Sequence, residues 1–108
     1  MDQQTIQELS STGRHQECLE GCQQILQNEP ENPLPWKLAG KSLLALGQFE
    51  KAQQCLNKAH QLDTSDPEIA KDIGNSFLNL GNKDTATQWY EKSLGINNNY
   101  APAINNLA

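Results

Sequence analysis

Apolar residues along this chain keep helical spacing, and the spacing then repeats. Trp36, Ala39, Gly40, Leu43, Leu44 and Leu46 fall at i, i+3 and i+4 intervals, the signature of one helix face. Gly47 follows, a residue suited to the left-handed backbone that ends a helix. A second face runs through Phe49, Ala52, Leu56, Ala59 and Leu62. Asn32-Pro33 and Asp66-Pro67 each set a capping side chain before a proline that fits the first helical position. No stretch alternates in the manner of a strand. The pattern predicts helices over 2–12, 14–28, 33–46, 48–62, 67–80 and 83–95, with a short helix from 101.

The two-helix pattern recurs every 34 residues. Gly40 and Gly74, Leu46 and Leu80, Gly47 and Gly81, Ala52 and Ala86, and Leu56 and Tyr90 all stand in that register. One period earlier, Leu9, Gly13, Cys18 and Cys22 match Leu43, Gly47, Ala52 and Leu56. A helix pair of this kind cannot bury its own apolar face and needs a copy alongside. Gly40 and Gly74 lie inside predicted helices, where glycine costs about 1 kcal/mol relative to alanine. Their recurrence predicts a seam where two antiparallel helices approach closely, with Ala52 and Ala86 on the second helix.

These residues resemble the tetratricopeptide repeat (TPR), whose 34-residue unit carries Gly or Ala at position 8, Gly at 15, Ala at 20, a large residue at 24 and Ala at 27. The unit from Pro33 supplies Gly40, Gly47, Ala52, Leu56 and Ala59; that from Pro67 supplies Gly74, Gly81, Ala86, Tyr90 and Ser93. The first unit departs, with Ile6 where the small residue belongs and Cys18 where Ala belongs. The resemblance implies an all-α, right-handed α-solenoid of antiparallel helix pairs: three TPR units over 1–32, 33–66 and 67–100, and a partial fourth over 101–108. The stop eight residues into that unit is expected of a fragment of a longer protein.

Composition narrows the function. The charge is −5, from eight Lys and Arg against thirteen Asp and Glu. Such a chain lacks the basic footprint that a nucleic-acid backbone requires. No apolar run approaches the ~20 residues that span a bilayer, and the first residues do not read as a signal peptide. A cytoplasmic protein is expected. Cys18, Cys22 and Cys55 make an odd count, which suits reduced thiols rather than a disulfide framework. Cys18 and Cys22, one helical turn apart, read as small buried hydrophobes, since nothing completes a metal's ligand set. No phosphate loop, nucleophile elbow or calcium loop is present. Neither an enzyme nor a cofactor is expected.

The resemblance implies an interaction scaffold whose first helices line a concave groove for a peptide or partner helix. The groove positions it implies include Leu34, Lys37, Leu38, Lys41, Leu44 and Ala45 in one unit. In the next they are Glu68, Lys71, Asp72, Asn75, Leu78 and Asn79. Of these, Lys37, Lys41, Lys71, Asn75 and Asn79, with Asn106 of the partial unit, are the candidate peptide-binding residues. Lys71, Asn75 and Asn106 match three positions of TPR domains that clamp a C-terminal carboxylate, so an acidic or free-acid peptide is one expected partner. Glu68 and Asp72 on the same surface would screen or pair with the lysines. Two further expectations are a substrate-presenting or dimerisation domain of a larger transferase-type enzyme, and self-association through Ile104 and Leu107 of the terminal unit.

Overall fold

The computed structural model describes residues 2–96. Six helices follow one another with no strand among the described residues: α1 Gln3–Ser11, α2 His15–Asn28, α3 Pro33–Ala45, α4 Phe49–Leu62, α5 Pro67–Asn79 and α6 Lys83–Ile96. They agree with the periodicity to within a residue at each end. The short helix predicted from 101 lies outside the described residues.

Each helix pair turns on the same motif. Gly13, Gly47 and Gly81 have φ of 80°, 78° and 87°. A Cβ there would meet nothing within 4 Å, so the backbone conformation alone selects glycine. The following residue donates back across the turn in every unit: Arg14 to Leu9, Gln48 to Leu43 and Asn82 to Phe77, all at 2.9 Å. Together with the glycine N–H bonds to Ser10, Leu44 and Leu78, these satisfy carbonyls that the helix end would otherwise orphan.

The helix starts are capped as the sequence predicts. Asn32 Oδ1 accepts from the Leu34 N–H at 3.2 Å, and Asp66 Oδ1 from the Glu68 N–H at 2.9 Å. Asp66→Ala is expected to cost about 1 kcal/mol from the cap alone. It also removes the carboxylate that pairs with Lys37, so thermal denaturation should show a larger loss for Asp66→Ala than for Asn32→Ala.

The core is thin and runs along the stack as two clusters. Ile6, Leu9, Cys18, Cys22, Ile25, Leu38 and Ala39 form one; Leu43, Ala52, Leu56, Ala59, Ile69 and Ile73 form the next. Inside each pair the glycine seam is close. A Cβ on Gly74 would stand 2.7 Å and 2.8 Å from the Tyr90 ring and 3.2 Å from the Ala86 carbonyl oxygen. A Cβ on Gly40 would overlap Leu56 Cγ and Cδ2. The gap is therefore filled by the large side chain four residues beyond the seam alanine. The first unit inverts this arrangement. Ile6 occupies the small-residue position and Cys22 the large one, and both are completely buried. The volume has changed sides, so the apparent anomaly of the first unit is a compensated exchange.

Adjacent first helices touch: α1 contacts α3, and α3 contacts α5. Second helices make no comparable approach to each other among the described residues. The stack therefore curves with α1, α3 and α5 on its inner side, while α2, α4 and α6 splay outward.

Candidate functional site

The inner face is built by register. Residues four apart on α3 place Lys37 and Lys41 one above the other, and α5 sets Lys71 one period on from Lys37. The three side chains are 18, 25 and 17 % exposed. Lys37 and Lys41 meet three carboxylates across the α3–α5 seam, and Lys71 shares one of them from its own helix. Lys37 Nζ lies 2.8 Å from Asp66 Oδ2 and 3.5 Å from Glu68 Oε1. Lys41 Nζ pairs with Glu68 and lies 2.9 Å from Asp72 Oδ2. Lys71 Nζ is 3.4 Å from Asp72 Oδ1. The result is a band of three cations and three anions whose formal charges cancel.

The electrostatics follow from that geometry. Burial pulls the Lys41 pKa down, but Asp72 and Glu68 beside it more than reverse this and leave it raised. Burial pushes Glu68 up, yet the hydrogen bond and charge of Lys41, helped by Lys37 and Lys71, leave its carboxyl below the usual value. Asp72 sits deepest, 3 % exposed. Its position at the seam between α3 and α5 puts a carboxylate where two lysines converge.

The amides lie toward the other end of α5. Asn75 Oδ1 accepts from the Tyr90 hydroxyl at 2.6 Å, which anchors it to α6. Asn79 Nδ2 donates to the Asn75 carbonyl at 2.8 Å. Between them Leu78 is a large apolar side chain that is 43 % exposed. Asn106 lies outside the described residues.

Two groove expectations need correction. Leu38 is packed into the first core cluster and is only 7 % exposed, and Asp72 is buried too. Both occupy the sixth position of their unit, which the contact between adjacent first helices turns into the seam. The role of Asp66 as a lysine partner was not legible: its place before Pro67 marks it as a cap, and the pairing spans 29 residues. Glu68 and Asp72 pair with the lysines as the charge pattern suggested.

Among the described residues, no group of three His, Cys, Asp or Glu side chains is arranged to hold a metal ion. No described helix is long and apolar enough to cross a membrane.

Known proteins share this architecture. Sequence profiles of the tetratricopeptide repeat match residues 9–71 and 72–100. A TPR repeat-containing protein of Methanocaldococcus jannaschii is 38 % identical over 63 residues, which are 58 % of this chain. The chain spans only 20 % of that protein's length. Among solved structures, the first TPR of Spaghetti (RPAP3), bound to the HSP90 peptide SRMEEVD, superposes with a TM-score of 0.91 at 21 % identity. That match covers 97 % of this chain and 83 % of the other. An O-GlcNAc transferase mutant of Thermobaculum terrenum matches with a TM-score of 0.84 at 22 % identity, over 95 % of this chain and 21 % of that one. The shared folds, the profile matches and the 34-residue register agree: this chain belongs to the tetratricopeptide repeat family.

Proposed function

We propose that the chain is a non-catalytic protein-interaction module that receives an extended peptide across the inner face of α1, α3 and α5. The observation that carries this reading is the inner face itself. It holds partly exposed lysines, amides and an exposed leucine in fixed register on two adjacent helices, α3 and α5. Lys37, Lys41, Lys71, Asn75 and Asn79 are the proposed contacts, together with Asn106 of the partial unit, which lies outside the described residues. The fold shared with a TPR domain bound to a seven-residue peptide supports the same use of the face.

Charge shapes how an acidic peptide would be held. The lysines already have carboxylate partners, so an incoming free carboxylate exchanges with Asp66, Glu68 or Asp72 instead of meeting bare cations. Exchange of one charge-assisted pair for another yields little net affinity. Backbone hydrogen bonds to the amides and apolar contact with Leu78 therefore supply most of the binding on this account.

An array of short peptides, each present with free-acid and amidated ends, tests the reading. Binding to a subset of sequences is expected, with at most a few-fold preference for the free acid. Asn79→Ala should weaken it about five- to tenfold, the value of one or two hydrogen bonds, without changing the melting temperature. Uniform failure to bind would refute the proposal, as would affinity indifferent to Asn79.

The second reading, an accessory domain that presents substrate to a larger transferase-type enzyme or dimerises it, draws on the chain's short span within its archaeal relative. On that reading the inner face still binds polypeptide, but the ligand is a segment of the same assembly. Self-association through Ile104 and Leu107 concerns residues outside the described part. Concentration-dependent sedimentation would reveal it.

A further inference from the structure

The outer side of the stack holds a depression of about 900 Å³ between α2 and α4, floored by α3. It has the size of a ligand pocket and lies apart from the inner face. Its origin is visible in the repeat register. Cys22 and Ala39 line it where the next seam has Leu56 and Ile73. Leu43 and Cys55 line it where the next seam has Phe77 and Trp89. Four floor positions are thus smaller than their counterparts one period on. Trp36 is larger than its counterpart Ala70, as Gln23, Gln48 and Lys51 around the edge are larger than Asn57, Asn82 and Thr85. The Trp36 indole Nε1 donates to the Pro30 carbonyl at 2.9 Å, which fixes the ring as one wall.

The α4–α6 seam shows what fills such a space. Trp89 packs there against the second core cluster, edge-on to His60 with ring centroids 5.2 Å apart. Lys92 Nζ stands over the ring, 4.7 Å from its centroid. At the α2–α4 seam the position of Trp89 is taken by Cys55 and that of His60 by Leu26, and both line the cleft. Burial raises the pKa of the Cys22 and Cys55 thiols, so the floor is uncharged. The rim is formed by Gln16, Gln23, Gln27, Gln48 and Gln54, with Lys51 the single charged side chain lining the cleft. The five amides offer hydrogen bonds to a polypeptide backbone, and Lys51 adds one positive charge at the edge.

We propose that the α2–α4 cleft is a second binding site, which takes an aromatic side chain projecting from a partner protein's uncharged amphipathic segment. The ring occupies the volume over Cys55 that Trp89 occupies in the following seam, and the glutamines contact the flanking backbone. This site is independent of the inner face.

The test is an NMR titration of the whole chain with N-acetyltryptophanamide, N-acetylleucinamide and a soluble Ala/Gln/Ser helical peptide bearing one tryptophan. The tryptophan amide should perturb Cys22, Leu26, Leu43 and Cys55 saturably, about tenfold more tightly than the leucine amide, the upper range of an aromatic contact's advantage. The peptide should bind more tightly than the free amide. Cys55→Trp should supply its own occupant: the cleft response disappears while the melting temperature is kept or raised. Should that variant fail to fold, Cys55→Leu, which fills the cleft in part, should weaken the response several-fold. Absence of saturable shifts, equal response to the two amides, or an unchanged response in folded Cys55→Trp would overturn the site. A peptide no tighter than the free amide would overturn the protein partner. Cleft shifts that appear on concentrating the protein alone would assign the cleft to a second copy and overturn it likewise.

Discussion

Gly40→Ile is expected to destabilise the chain by about 3 kcal/mol, and Leu56→Cys in the same chain to return most of that loss. The first substitution places a branched side chain where a Cβ already overlaps Leu56 Cγ and Cδ2. Leu56 is completely buried, so it cannot swing out into solvent. Overpacking of this kind costs about 1–3 kcal/mol, occasionally more, and the upper end applies because the overlap falls on two atoms of a buried side chain. Gly40→Ile also gains several tenths of a kcal/mol in helix propensity, which is too little to offset the clash. Leu56→Cys alone opens a cavity and should cost about 2 kcal/mol. Combined, the two changes reproduce the Ile6 and Cys22 arrangement that the first unit already carries in its core. The expected signature in a double-mutant cycle of denaturant melts is a favourable coupling of about 4 kcal/mol, more than contacting pairs usually show. Additive losses would show that the first unit accommodates Ile6 by some other means.

Lys41→Met should be the most damaging change on the inner face, at about 2 kcal/mol. It strips the seam of the cation that serves both Glu68 and Asp72. Asp72, 3 % exposed, is left with Lys71 at 3.4 Å. Loss of one partner of a buried pair typically costs about 3–5 kcal/mol, and the partial exposure of Lys41 lowers that figure. Adding Asp72→Leu should recover most of the loss, since an apolar pair replaces a charged one at little net cost.

The same variant should alter the pH profile. Glu68 is held below its ordinary value of 4.5, so its contribution is complete above that pH and is lost as pH falls through the folded-state value. Lys41 is held above its ordinary value of 10.5, so its contribution is complete below that pH and is lost as pH rises through the folded-state value. Wild type should therefore lose stability at both extremes. In Lys41→Met the alkaline loss from Lys41 disappears and the acid loss from Glu68 shrinks, because its principal partner has gone. Urea melts across the pH range read both effects directly.

The fold was legible because it rests on local rules repeated in register. Gly13, Gly47 and Gly81 mark the turns, and Asn32 and Asp66 mark helix starts, each through a residue type that only one backbone geometry favours. The seam glycines were legible as close contacts, but what fills the space was not. A position-by-position comparison marks Ile6 and Cys22 as two departures, whereas only the packed structure shows them as one exchange. The inner face was legible as a set of positions and less so as chemistry. Glu68 and Asp72 were legible as partners of Lys37, Lys41 and Lys71, whereas Asp66 joins them only once the seam brings it against Lys37. Leu38 carried no sign that its position would close into the seam, since that depends on how nearly adjacent first helices approach. The outer cleft required comparing two seams, because Cys55 alone gives no hint of the space above it.

The central claim, that the inner face receives a polypeptide, is tested most directly by mapping amide shift perturbations with the tightest aromatic-free peptide from the array. The account predicts saturable shifts along α1, α3 and α5 that include Lys37, Lys41, Lys71, Asn75 and Asn79, with α2, α4 and α6 quiet on their outer sides. Shifts confined to the outer helices, or none at millimolar peptide, would contradict it.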